Sequence, residues 1–106
     1  MPTFLWRASY TAEGSKGLMK DGGSKRRDFI QQMVTKAGGK LHAFYFAIGD
    51  ADVYGITEFP DMATAVAFSL SVNASGAVNL RSTMLLTAEE MDAATKKTVA
   101  YRPPGT

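Results

Sequence analysis

Residues 49–61 constrain the fold more than any other part of the chain. Residues 49–51 read Gly-Asp-Ala, a short run rich in turn formers, and residues 52–59 have the β-branched and aromatic content of a strand. Pro60 ends that strand, and Asp61 is a residue type that caps helix N-termini. The stretch therefore predicts a hairpin turn, its second strand and a helix start in the middle of the chain.

Three further strands are predicted at residues 3–10, 40–48 and 78–86. The strand at 40–48 is apolar on both faces. One face is predicted to carry Leu41, Ala43, Tyr45 and Ala47, and the other His42, Phe44, Phe46 and Ile48. A sheet strand with two apolar faces needs a cover on each. We therefore expect a second copy of the chain to cover the sheet, in a homodimer or a higher homo-oligomer.

Two helices are predicted from their apolar stripes, one from Ser24 to a stop at Gly38-Gly39 and one from Asp61 to Ser75. The first inner stripe is predicted to contain Phe29, Ile30, Met33, Val34 and Ala37, and the second Ala63, Val66, Ala67, Leu70 and Ala74. Phe68 and Val72 lie on the other side of the second helix, so we expect them in a subunit contact or beneath the C-terminal helix.

The segment before the first of these helices is rich in glycine. Residues 11–14 indicate a helix start or a turn, and Gly17, Gly22 and Gly23 follow. Each glycine costs about 1 kcal/mol inside a helix relative to alanine. A short broken turn is therefore expected in this segment.

The predicted order of elements is strand, helix, strand, strand, helix, strand. This order indicates an α+β fold, a ferredoxin-like βαββαβ sandwich with a four-stranded antiparallel sheet and helices on one face. A capping box from Thr87 to Glu90 opens a short C-terminal helix. One domain is expected over residues 1–98, with an irregular tail at 99–106.

Composition excludes several classes of function. Twelve Lys and Arg against ten Asp and Glu leave a net charge of +2, spread along the chain, so we expect no nucleic-acid partner. The chain contains no cysteine, which excludes thiol chemistry and suits a reducing compartment. It has no signal-peptide pattern and no apolar run of about 20 residues, the length of a membrane span. We expect a cytoplasmic protein without a membrane partner, a metal site or a cofactor.

Several short motifs along the chain agree in order and spacing with one known family. They are Thr11-Ala12-Glu13-Gly14, Gly38-Gly39-Lys40, Phe44-Tyr45, Gly49, Asp52-Val53, Glu58-Phe59-Pro60-Asp61, Gly76 and Thr87-Ala88-Glu89-Glu90-Met91. In this pattern the chain resembles the GYD domain family of small bacterial proteins, from residue 3 to about residue 95. Ala51 stands where that family's signature has tyrosine. The resemblance implies a ferredoxin-like protomer of the dimeric α/β-barrel type, without an established activity.

Three side chains are candidates for acid–base chemistry. His42 is the only histidine and is a candidate base or haem ligand, although a structural role on the strand is the alternative. Asp52 is a candidate base, with turn chemistry as its alternative. Glu58 is a candidate base because it lies among apolar neighbours, and its alternative is an ion pair with Arg7 or Arg81.

Four residues are candidates for ligand binding. Arg7 and Arg81 lie inside strands, where each either reaches solvent or faces an anionic ligand. Ser24 and Arg26 lie at a helix start that also carries Lys25 and Arg27, and cations at a helix N-terminus are unfavourable unless an anion binds there.

Two functions remain open from the sequence. The first is a non-enzymatic homo-oligomer that binds a small apolar or anionic molecule between sheet and helices, or that acts as a regulatory module. The second is a cofactor-free monooxygenase or isomerase of the dimeric α/β-barrel type, acting on a small hydrophobic substrate. The first is preferred, because no nucleophile and base occur at a diagnostic spacing.

Overall fold

The computed structural model describes residues 1–106 and has the predicted ferredoxin-like order with one additional helix. The strands are β1 (Thr3–Tyr10), β2 (Lys40–Phe46), β3 (Val53–Glu58) and β4 (Val78–Leu85), and the helices are α1 (Ala12–Asp21), α2 (Gly23–Lys36), α3 (Met62–Ala74) and α4 (Ala88–Thr95). The strands form one antiparallel sheet in the order β2-β3-β1-β4. The predicted α+β fold is confirmed. None of the four helices has the length and apolar content of a membrane span.

The predicted hairpin and helix caps are present. β2 and β3 pair as antiparallel neighbours on either side of the turn. Asp61 Oδ1 accepts a hydrogen bond of 2.7 Å from the Thr64 backbone N–H at the start of α3. This bond favours the ionised carboxylate and lowers the pKa of Asp61. Thr87 and Glu90 form the complete capping box at the start of α4.

The predicted broken turn in the glycine-rich segment is wrong, because residues 12–21 form α1. A Cβ on Gly14 would overlap the carbonyl oxygen of Ala77, whereas Gly17 faces open space. Gly22 has φ of 82° and lies between α1 and α2, a conformation that favours glycine. The contact with Ala77 therefore explains Gly14, and the junction between the two helices explains Gly22.

The hydrophobic core lies between the helices and one face of the sheet. It is formed by Phe4, Trp6, Ala8, Ile30, Val34, Val53, Phe59, Ala65, Phe68, Val78 and Leu80. At its centre the Trp6 indole N–H donates a hydrogen bond of 2.9 Å to the hydroxyl of Thr57. Gly55 makes room for the indole, since a Cβ there would overlap the ring.

The predicted inner stripe of α3 is wrong. Phe68 is 7% exposed and packs in the core, whereas Val66 and Leu70 are 52% and 65% exposed. Val72 also packs against the core. α3 contains no charged residue, so nothing in its sequence marks the outer side. On α2 the prediction holds for Ile30 and Val34 but not for Phe29, which is half-exposed.

The predicted alternation along β2 is also wrong. A register shift between Leu41 and Ala43 forms a bulge, so Leu41 and Phe44 both pack against the core. The strand ends at Phe46, and Ile48 is fully exposed. A bulge of one residue reverses the facing of every side chain before it.

The second face of the sheet is covered by no other part of the chain, and we call it the open face. The alternation of buried and exposed residues along β1 and β3 and the strand register define its members. They include Leu5, Arg7, Ala43, Tyr45, Tyr54, Ile56, Glu58, Arg81 and Thr83.

Candidate functional site

A groove of about 380 Å³ lies between α1, α2 and α3, above the end of β1 and the start of β4; we call it the ligand groove. Tyr10 and Val78 contribute from the strands, and Leu18, Ile30 and Val72 from the three helices. Pockets of roughly 300–1,000 Å³ with mainly apolar walls are typical small-molecule sites. The ligand groove meets both criteria.

One cation at the start of α2 lines the ligand groove without a carboxylate partner. Lys25 lies 3.6 Å from the carboxylate of Asp21, and Arg27 lies 3.1 Å from that of Asp28. Arg26 forms no such ion pair and is half-buried. Of the three cations predicted at this helix start, Lys25 and Arg27 each pair with a carboxylate. Arg26 is the one without such a partner.

The aromatic ring of Phe29 positions Arg26. The guanidinium carbon lies 5.6 Å from the ring centroid, a distance at which a cation and an aromatic face attract each other. Both side chains line the ligand groove. Phe29 therefore belongs to the groove wall, which explains its exposure. Ser24 does not line the groove, and the N-cap of α2 is Gly22, without a side-chain hydrogen bond.

The remaining polar lining of the ligand groove is sparse. Glu13 and Asp21 lie at its α1 side, and Ser71 and Ser75 at its α3 side. Asp21 lies 3.6 Å from Lys25, and Glu13 and Arg26 are the charged groove residues without an ion-pair partner. Arg26 is half-buried whereas Glu13 is exposed, so the cation lies in the apolar wall and the carboxylate at the rim. This arrangement suits an apolar molecule that carries one anionic group. Gly17 lines the groove with open space where a side chain would be, but in the sequence it had indicated only a broken turn.

Asp52 has a structural role. Its Oδ2 accepts a hydrogen bond of 2.8 Å from the Tyr10 backbone N–H. Its own backbone N–H donates to the Ala8 carbonyl at 2.9 Å, and its carbonyl accepts from Ala47 at 2.7 Å. The residue thus joins the end of β1 to the turn between β2 and β3, outside the ligand groove.

His42 and Glu58 lie together at one end of the open face. Their Nε2 and Oε2 atoms are 3.7 Å apart. The alternative ion pair of Glu58 with Arg7 or Arg81 is not formed, so that expectation is wrong. Neither His42 nor Glu58 lines the ligand groove.

Arg7 and Arg81 lie directly opposite each other on β1 and β4. Arg7 is also opposite Tyr54 on β3, and Tyr54 is opposite Tyr45 on β2. The four side chains therefore form one row across the open face. Like charges on directly opposed strand residues destabilise a sheet, and neither arginine has a carboxylate partner within the chain.

Comparison with known proteins gives one family. The family profile described as GYD domain matches residues 4–95 of the 106-residue chain. No curated protein and no solved structure matches the chain. The match spans all four strands and ends with the last residue of α4.

Proposed function

The chain belongs to the GYD domain family, and from that premise we propose that it is a cytoplasmic, homo-oligomeric module that binds a small molecule. The ligand that the groove suits is an apolar molecule with one anionic group. One observation carries this proposal: Arg26 lies half-buried and without a carboxylate partner in the wall of an apolar groove of ligand size. The protein has a regulatory role if ligand binding changes which other molecules it binds.

The enzymatic alternative, a cofactor-free monooxygenase or isomerase, has less support. A base must reach the proton that it removes. His42 and Glu58 lie on the open face, and Asp52 lies outside the ligand groove with its carboxylate bonded to the Tyr10 N–H. None of the three candidate bases lines the ligand groove.

A filled groove tests the binding site. Gly17 lies in α1 with open space where its side chain would be, so Gly17→Leu should fold and occupy the ligand groove. The probe is the fluorescent aromatic sulfonate 8-anilinonaphthalene-1-sulfonate, titrated into the folded protein at neutral pH. Gly17→Leu should lose most of the fluorescence gain, and Gly17→Ala, the matched control, should keep it. Equal binding by all three proteins would refute the site.

The charge of Arg26 is tested by a matched pair of variants. Arg26→Met keeps an unbranched apolar side chain but removes the cation, and Arg27→Met removes a cation whose partner is Asp28, away from the groove. A charge-assisted hydrogen bond contributes about 1.5–3 kcal/mol, so in Arg26→Met the inhibition constant of octanoate, corrected for the Kd of the probe in the same variant, should rise about 10- to 150-fold. The corrected inhibition constant of octan-1-ol should not change. An identical loss for octanol and octanoate would show that the arginine does not select anions.

The open face supports the homo-oligomeric part of the proposal. Leu5 and Tyr45 are 37% and 72% exposed on it, and an uncovered apolar sheet face is a typical site of association. Glu58 is the only acidic residue within the four strands. We propose a two-fold contact in which Arg7 of one protomer faces Glu58 of the partner subunit, and two-fold symmetry makes this pair occur twice.

Charge exchange tests this contact. Arg7→Glu and Glu58→Arg should each weaken self-association, because each places like charges together twice. A mixture of the two variants should associate again, as should the double variant. Light scattering at micromolar concentration gives the mass, and Lys25→Glu serves as a control on α2. A wild-type monomer, or no recovery in the mixture, would contradict the contact.

A further inference from the structure

A second, smaller space lies next to the ligand groove. It has a volume of about 20 Å³, and we call it the inner cavity. Its walls are apolar or aromatic apart from Arg26. Trp6 lines the cavity, but its indole N–H is already donated to Thr57. A buried water needs about two to four polar partners, so these walls favour an apolar occupant over water.

The inner cavity opens toward the ligand groove. Most of its lining residues are buried, and the partly exposed ones are Tyr10, Arg26, Phe44 and Val72. Phe44 packs edge-on against Trp6, with ring centroids 5.9 Å apart. The other three also line the ligand groove. A chain that lies in the groove can therefore enter the inner cavity between Tyr10, Arg26 and Val72.

Arg26 marks the border between a charged outer part and this apolar inner part. Its guanidinium carbon lies 5.6 Å from the ring centroid of Phe29. Phe29 is 54% exposed and lines the ligand groove but not the inner cavity. The charge is thus on the groove side, and the aliphatic stem of Arg26 borders the inner cavity. An anionic amphiphile is most stable here with its headgroup outward and its apolar end inward.

The size of the inner cavity restricts the shape of that apolar end. Its volume of about 20 Å³ slightly exceeds the roughly 10–15 Å³ needed for one water, so it suits a methyl or methylene group. A ring or a branched end would have to displace Trp6 or Phe68, which are 4% and 7% exposed. Buried side chains are close-packed and resist such displacement. An unbranched chain enters without it.

We propose that the ligand is an unbranched alkyl carboxylate, with its headgroup at Arg26 and its chain end in the inner cavity against Trp6. This inference rests on the proposed binding function, because the ligand must first occupy the ligand groove. It adds the shape of the ligand and its orientation. A carboxylate suits the headgroup position, because it pairs with a single guanidinium through two parallel hydrogen bonds.

The single tryptophan reports the position of the chain end. Bromine quenches tryptophan fluorescence at contact range and is close to a methyl group in size. At saturation, 8-bromooctanoate should quench most of the Trp6 emission. 2-Bromooctanoate, with its bromine beside the carboxylate, should quench much less, and octanoate corrects for changes that do not involve bromine. Equal quenching by the two isomers, or stronger quenching by 2-bromooctanoate, would overturn the orientation.

The filled groove provides the control for the route of entry. Gly17 lines the ligand groove but not the inner cavity. Gly17→Leu should therefore remove the quenching by 8-bromooctanoate while Trp6 keeps its emission. Undiminished quenching in this variant would show that the chain reaches Trp6 by another path, and would overturn the proposal.

The length of the chain gives a second readout. Each methylene that becomes buried lowers the Kd about fourfold, so affinity should rise from butanoate upward until the inner cavity is full. Val53 lines the inner cavity but not the ligand groove. Val53→Ile should end this rise at a shorter chain than in the wild type, and Val53→Ala at a longer one. Val34→Ala, at a buried valine that lines neither space, should keep the wild-type limit.

The outcomes distinguish this inference from the proposed function. An unchanged length limit in folded Val53 variants would overturn insertion into the inner cavity. The ligand groove would still be a binding site if octanoate displaced the fluorescent probe and the displacement depended on Arg26. Failure of both the probe and the alkanoates to bind would overturn the proposed function and this inference together. The quenching experiment uses the wild-type chain, so it decides the question even if a Val53 variant fails to fold.

Discussion

The hydrogen bond between Trp6 and Thr57 is the sharpest test of the core. Trp6 is 4% exposed and Thr57 is 0% exposed, and the indole N–H lies 2.9 Å from the hydroxyl. Thr57→Val keeps the shape of the side chain and removes the only acceptor for this donor. A buried donor left without a partner costs about 1–3 kcal/mol. We expect the free energy of unfolding to fall by that amount.

The chain supplies its own probe for this measurement, because Trp6 is the single tryptophan. Its fluorescence through a urea titration gives the free energy of unfolding. A domain of this size loses roughly 4–8 °C in Tm per kcal/mol, so a thermal melt provides a check. Thr35→Val is the control, since Thr35 is exposed on α2 and such changes stay within about 0.5 kcal/mol.

A double-mutant cycle isolates the bond from the packing of the ring. Trp6→Phe removes the donor and also leaves a cavity, but the cavity is common to both sides of the cycle. Melting followed by circular dichroism replaces fluorescence in those variants. If Thr57→Val costs no more in the Trp6 background than in the Phe background, the hydrogen bond does not stabilise the core and the reasoning fails.

Three further predictions concern single residues. Gly14→Ala should destabilise the fold by about 1–3 kcal/mol, because the added Cβ overlaps the Ala77 carbonyl. Helix propensity alone predicts the opposite, a stabilisation of about 1 kcal/mol. A urea titration that shows a stabilised variant would contradict the contact. Asp52→Ala should lower stability by about 1–3 kcal/mol without changing probe binding per folded molecule; a specific loss of binding would restore a ligand role. The hydrogen bond from the Thr87 N–H lowers the pKa of Glu90 below its ordinary value of 4.5. The capping box is therefore complete above pH 4.5, and it is lost as the pH falls through the lower pKa that Glu90 has in the folded protein. NMR amide shifts of residues 88–95 should therefore hold at neutral pH and move only in acid, and a transition near neutrality would contradict the capping box.

The topology was predictable because local signals agree with it. Asp61 and the Thr87 capping box each place a hydroxyl or carboxylate where free helix N–H groups need an acceptor, and the structure forms both caps. The turn before β3 indicates the antiparallel pair of β2 and β3. The order of strands and helices along the chain then indicates the ferredoxin-like arrangement. Signals of this kind depend on a few neighbouring residues, so a sequence contains them in full.

The predictions that were wrong concern positions where residues far apart in the sequence determine the local structure. The broken turn was predicted from the low helix propensity of Gly17, Gly22 and Gly23, but α1 continues through Gly17 to Asp21 and Gly22 lies at its junction with α2. The inner side of α3 was misassigned because the helix has no charged residue and its polar residues do not gather on one side. The bulge before Ala43 leaves no local signature. The ligand groove depends on the spacing of three helices, and Arg26 is the only site residue predicted from the sequence that lines it.

The motifs shared with the family explain why a match over most of the chain specifies architecture more than chemistry. Thr11 caps α1 through the Gly14 N–H and also donates to the carbonyl oxygens of Gly76 and Ala77, while Asp52 holds the end of β1. Each of these motif residues joins segments that are distant in sequence, and substitution would cost the fold before any ligand could be lost. A residue that only binds a ligand need not join distant segments, so its substitution can remove binding and leave the fold intact. Chemistry specific to this chain should therefore be sought at Arg26 and Phe29 of the ligand groove, outside the signature motifs.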